Sequence, residues 1–110
     1  MNKKTLALGR LKTGVMNKGE ADYAQYLSLL KHGGKILWFA FEGIKVRLAD
    51  NTFYSPDFAV MASDGTLELH EVKGHWTDDA RVKIKVAAAL FPFRFIAIKK
   101  IKNNWVTEEF

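Results

Sequence analysis

The chain has 110 residues, 48% of them hydrophobic and 26% charged, with a net charge of +5 and a pI near 9.5, which allows one well-buried core but is short for two domains. It contains no cysteine, which excludes disulfides, thiolate catalysis and cysteine zinc sites together. No apolar run approaches the ~20 residues of a membrane span and Leu6 to Leu8 is too short for a signal-peptide core, so cytoplasmic residence is expected, and the basic balance favours a polyanionic partner.

The whole chain reads as a single domain preceded by a basic arm over residues 1–16. Before Glu20 it carries Lys3, Lys4, Arg10, Lys12 and Lys18 and no acidic residue. That pattern suits an arm lying along phosphates and, equally, a solvated terminus. A helix is predicted from an Asn17 N-cap to His32, stopped by Gly33-Gly34, with Tyr23, Leu27 and Leu30 as its buried stripe. Continued toward the N-terminus, the stripe reaches Glu20. A carboxylate at the head of an apolar face either closes a capping box on the Asn17 amide or serves a site, and the second reading is favoured.

Ile36 to Phe41, followed by Ile44, Val46 and Leu48 alternating with Lys45 and Arg47, predicts one long strand bent at Gly43. A second strand is expected over Phe53 to Met61, with Pro56 near its start, and a third over Thr66 to Lys73. Thr77 caps a second helix that opens on Asp78-Asp79 and is closed by Pro92. Phe93 to Ile98 reads as a fourth strand and Trp105-Val106 as a short fifth, with Trp38 and the phenylalanines in the core. The order implies an α/β (α+β) class, a mixed central sheet of four to five strands flanked by helices. The helical crossover makes the third and fourth strands parallel.

The chemistry concentrates between Tyr54 and Gly74. Ser63-Asp64-Gly65 suits a three-residue loop ending on a left-handed glycine, closed by Ala62 and Thr66. Counting outward sets Asp57 opposite Glu71, with Cβ atoms roughly 4.5–5.5 Å apart, and Lys73 on the same face. A one-residue slip would send the two carboxylates to opposite sides. Ionised together they need a cation, and oxygen ligands select Mg²⁺ or Mn²⁺. Asp57 and Glu71 would be direct ligands, the Val72 carbonyl a third, and Glu20 would hold a second ion or a water. Such an ion activates water and neutralises charge on a phosphodiester. Lys73 would orient or deprotonate the water, or stabilise the pentavalent phosphorus. Glu-x-Lys on a strand is usually an exposed face, but Leu67 and Leu69 share this one, so the charges are expected to line a cleft.

Pro56-Asp57, then Glu71-Val72-Lys73, with Glu20 on a preceding helix and a basic helix following, resembles the PD-(D/E)xK nuclease superfamily over about Asn17 to Ile98. The stretches Tyr54-Ser55-Pro56-Asp57-Phe58 and His70-Glu71-Val72-Lys73-Gly74 are similar to those of small phage-encoded nucleases of the endonuclease I and Holliday junction resolvase type, which act in DNA recombination. The resemblance implies a restriction-endonuclease-like core, Mg²⁺-dependent hydrolysis of DNA, metal ligation by Asp57 and Glu71, and Lys73 as the catalytic lysine. Glu20 carries over as the helix carboxylate of that pattern. A phage origin would place the protein in the host cytoplasm.

On the second helix Arg81 and Lys85 share a face and Lys83 points away; Arg81 and Lys85 are the expected phosphate contacts, ahead of Lys83. His70 is expected packed or exposed rather than a ligand. His75 would touch DNA or anchor its loop, Trp76 would anchor it, and Lys99, Lys100 and Lys102 form a solvated edge. The expected activity is that of a DNA endonuclease acting near branches or junctions. Cutting two strands with one site per chain implies a homodimer. The rival from another class is a non-catalytic DNA-binding module of nuclease fold, which would bind DNA indifferently to Mg²⁺ and Lys73. A sequence-specific restriction-type nuclease or an exonuclease stays open within the enzyme class.

Overall fold

The computed structural model describes residues 14–74 and 77–110. The elements are α1 (Lys18–His32), β1 (Ile36–Phe41), β2 (Val46–Ala49), β3 (Thr52–Tyr54), β4 (Phe58–Ala62), β5 (Leu67–Val72), α2 (Asp78–Leu90), β6 (Arg94–Ile101) and β7 (Asn104–Glu109). The main sheet has the order β1-β4-β5-β6-β7, with β5 and β6 parallel and the other pairs antiparallel. This is the mixed, helix-flanked sheet expected, with five strands.

Each helix starts and stops where local chemistry dictates. Asn17 and Glu20 form a reciprocal capping box at α1, and the chain leaves it through Gly34 at φ +77°. Thr77 accepts from the Ala80 amide at the head of α2, where Asp78 and Asp79 meet the positive end of the dipole. Period-2 alternation divides the strand residues between two layers. Phe58, Val60, Ile96 and Ile98 pack with Tyr23, Leu27 and Ile36 on the α1 side. Ala59, Leu69 and Phe95 pack with Ile84 and Ala87 of α2 and with Val46 and Tyr54 on the other.

Two expected strands are each broken in two. The long one stops at Glu42, which takes φ +50°, and at Gly43, where any Cβ would lie 2.9 Å from that of Ala40. Its second half is β2, which pairs with β3 in a separate two-stranded arm. The other breaks at Ser55-Pro56-Asp57, because a proline without an N–H cannot continue the ladder. Trp38 is not core: it is 41% exposed on edge strand β1, past a register shift after Ile36, and α2 packs on β2 and β6 instead. Phe53 is likewise exposed, whereas Phe58 and Phe95 are buried. β7 runs on to Glu109, well past Val106.

The α1 side is tied by a polar chain through the core. The Tyr23 hydroxyl lies 2.7 Å from His70 Nδ1, and His70 Nε2 lies 2.9 Å from Glu68 Oε1. Arg94 bridges Glu68 Oε2, at 2.7 Å, to both oxygens of Glu109. His70 is therefore packed, as expected, and is held on the face of β5 opposite Glu71. Burial, with nearby Tyr26 and Glu68 charge, holds the Tyr23 phenol well above its ordinary range. Tyr23→Phe, which strands a buried imidazole nitrogen, should cost about 1–3 kcal/mol and lower Tm by at least about 4 °C in a thermal melt.

Candidate active site

The β4–β5 hairpin has the register on which the site depends. Ala62 and Thr66 close it (Ala62 N to Thr66 O, 2.9 Å), Gly65 sits at φ +88°, and Phe58 pairs with His70, Ala59 with Leu69 and Val60 with Glu68. The ladder ends at Phe58 and His70, and Asp57 and Glu71 are the residues one step beyond that pair. Asp57 Oδ2 accepts from the Val72 amide at 2.8 Å. Glu71 is 8% exposed, with Oε1 accepting from the Tyr54 hydroxyl at 2.7 Å and Oε2 lying 3.0 Å from Lys73 Nζ. Two carboxylates and the lysine thus share one end of the sheet on its α2 side, as the alternation of Leu67, Leu69, Glu71 and Lys73 implies.

A cleft of about 250 Å³ opens over Glu71 and Lys73, lined also by Tyr54, Ser55, Ala80 and Lys83. Lys83, placed behind Arg81 and Lys85 by the sequence reading, is the α2 cation that lines it. Arg81 lies on the opposite edge of the stripe Ala80, Ile84 and Ala87 and makes a bidentate pair with Glu108 at 2.7 and 3.2 Å. The unexpected length of β7 accounts for this, since Glu108 pairs with Ala97 of β6 and lies under α2's far edge. Lys85 is exposed on that same side, where its charge reaches Glu108. Lys100 lies 5.2 Å over the Trp105 ring and 4.0 Å from Asp22.

Glu20 performs the capping interaction, accepting from the Asn17 amide at 2.9 Å, while its charge also acts on Asp57. The sequence reading ranked the site role above the cap; the cap is the contact formed. Lys12, His75 and Trp76 lie outside the described residues. Tyr54 was overlooked as a site residue, although it opens the Tyr-x-Pro-Asp stretch. Its only signal was a tyrosine three residues before the aspartate, and its bond to Glu71 depends on the unpredicted break at Pro56.

Among the described residues no three His, Asp or Glu side chains converge on one metal position. The two carboxylates nevertheless suit a hard divalent ion that takes its remaining ligands from water or a bound anion. Asp57 Oδ1 has no hydrogen-bond donor among the described residues, and it stands near the Glu71 carboxylate in a half-buried position. An oxygen left in this way is a ligand donor by its chemistry.

Residues 13–109 match the family model described as "Protein of unknown function (DUF1064)", and the chain belongs to that family. Comparison with curated proteins and with solved structures gave no match. No helix among the described residues is long and apolar enough to cross a membrane.

Burial, and then the charge of Glu71, push the Asp57 carboxyl from its ordinary 3.8 up to about 8, against the Val72 amide and Lys73, which favour the ionised form. In the unfolded chain Asp57 loses its proton near pH 4. Between about pH 4 and 8 the unfolded state therefore binds fewer protons, and the metal-free fold loses the stability it holds below that window. Thermal melts in EDTA should show Tm falling as pH rises across it, and Asp57→Asn should gain about 5 °C or more over the wild type at pH 8 but little at pH 4. Equal pH dependence in the two proteins would show that Asp57 does not carry the effect.

Proposed function

We propose that this member of the DUF1064 family is a divalent-metal-dependent DNA endonuclease of the PD-(D/E)xK kind. The observation that carries the reading is Asp57, held by the Val72 amide within reach of the Glu71 charge, with Lys73 3.0 Å from Glu71 and both Glu71 and Lys73 lining a cleft. Asp57 and Glu71 would hold Mg²⁺ or Mn²⁺, and when bound that ion supplies water activation and charge neutralisation at a phosphodiester. The Val72 carbonyl, next to the amide that holds Asp57, and Glu20, whose charge already acts on Asp57, are the remaining ligand candidates.

Lys73 reaches the substrate from beside Glu71, where its ammonium would orient or deprotonate the attacking water or stabilise the developing charge on phosphorus. Lys83, on the helix above, would hold a backbone phosphate and so set the strand across the carboxylates. The net charge of +5 favours a nucleic acid over an uncharged substrate. Branched DNA, a junction-resolving role, a homodimer with one site per strand and a cytoplasmic setting complete the proposal. They rest on the resemblance of the Tyr54–Phe58 and His70–Gly74 stretches and on substrate symmetry.

Purified protein incubated with four-way junctions, duplex and single strands should cut DNA only with Mg²⁺ or Mn²⁺. Lys73→Ala and Asp57→Asn should each lower the rate about 10²-fold or more. Failure to cut any of these substrates, with neither substitution having an effect, would end the enzyme reading. In binding titrations without metal, Lys83→Gln should shallow the log K against log salt slope by about 0.9, the loss of one phosphate contact. Arg81→Gln, at a residue already paired with Glu108, should leave that slope nearly unchanged.

A further inference from the structure

The two-stranded arm of β2 and β3 adds nothing to the main sheet, yet it delivers one buried polar group to the site. Val46 pairs with Tyr54 across the arm, and both are buried with Ile84 against α2. Tyr54 is 8% exposed and its hydroxyl donates to Glu71 Oε1 at 2.7 Å, while Lys73 holds Oε2 at 3.0 Å. The terminal torsion of a glutamate is broad and two-fold, so one donor leaves the carboxylate plane poorly fixed. The Tyr54 hydrogen bond on Oε1 and the Lys73 ion pair on Oε2 together fix it. Asp57 Oδ1 then remains the one oxygen of the pair with neither a hydrogen bond nor an ion pair among the described residues.

We propose that Tyr54 is a positioning residue for the metal site, acting through Glu71: its hydroxyl locks the carboxylate in the orientation that, with Asp57, takes a divalent cation. This rests on the reading that Asp57 and Glu71 bind such an ion. A hydrogen bond that orients a ligand is typically worth 10–100-fold in metal affinity. The β2–β3 arm thus carries to Glu71 a hydroxyl that the five-stranded sheet does not supply.

Mn²⁺ serves as the probe, its free concentration read by electron paramagnetic resonance in titrations of metal-free wild type, Tyr54→Phe, Val46→Ala and Asp57→Asn, each with its own thermal melt. Tyr54→Phe keeps the ring and should unfold cooperatively while binding Mn²⁺ at least about 10-fold more weakly. Its DNA cleavage should recover toward the wild-type rate as Mg²⁺ is raised. Val46→Ala loosens the arm without touching the hydroxyl, and should lower Tm with Mn²⁺ affinity near that of the wild type. The proposal is overturned if Tyr54→Phe binds Mn²⁺ as tightly as the wild type, if it fails to fold, if excess Mg²⁺ restores nothing, or if Val46→Ala weakens the metal equally. Absence of Mn²⁺ binding by the wild type, or undiminished binding by Asp57→Asn, would instead remove the metal reading and this inference with it.

Discussion

One turn decides whether the site exists. Gly65 at φ +88° closes a three-residue loop between β4 and β5, and that loop length fixes the pairing out to Phe58 and His70, the neighbours of Asp57 and Glu71. A residue with a Cβ pays for the left-handed conformation there, whereas glycine does not. Because strand side chains alternate, the same loop puts Leu69 into the core, His70 on the α1 side and Glu71 on the α2 side. Core packing and chemistry are thus set by one register, and neither can slip without the other.

Strand β5 is consequently gripped on both faces by polar contacts. On one, Tyr23 of α1 bonds His70, and Glu68 passes the connection to Arg94 and Glu109 at the far edge of the sheet. On the other, Tyr54 and Lys73 hold Glu71. The Tyr23 bond lies one helical turn beyond Glu20, so it fixes how the head of α1 stands relative to Asp57. That gives the capping carboxylate a second consequence: its charge reaches the site because the helix is pinned to β5.

What the sequence disclosed was mostly local. The caps at Asn17 and Thr77, the Gly65 turn and the alternation along Thr66 to Lys73 depend on near neighbours, so the register and the parallel crossover could be read directly. The breaks in two strands were less legible. Pro56 is compatible with a strand start, but buried between two sheets it separates β3 from β4, and at Gly43 contact with Ala40 ends the strand rather than bending it. Neither break has a local signal, and with them go the β2–β3 arm and Tyr54. Helical spacing correctly separated Arg81 and Lys85 from Lys83 but not which side faced the cleft. That depended on Glu108, on a strand thought to end at Val106.

The electrostatics of the two edges of α2 follow from the same topology. Its Arg81 edge is satisfied by β7: Glu108 takes both guanidinium nitrogens, and the Arg81 guanidinium also lies 5.3 Å from the Phe110 ring. The Lys83 edge overlooks a carboxylate pair whose own cation, Lys73, lies on Glu71 and leaves Asp57 Oδ1 without a donor among the described residues. A fold selected only for stability would gain by replacing one carboxylate of that pair, since burying two acids with one lysine costs more than it returns. In the proposed reading, the pair beside the open cleft is completed by a ligand carrying positive charge. A divalent cation would meet that requirement on the carboxylate side, and a phosphate bound to it would meet the requirement of Lys83 on the other. In that arrangement each bound group supplies the charge that the opposite wall of the cleft lacks.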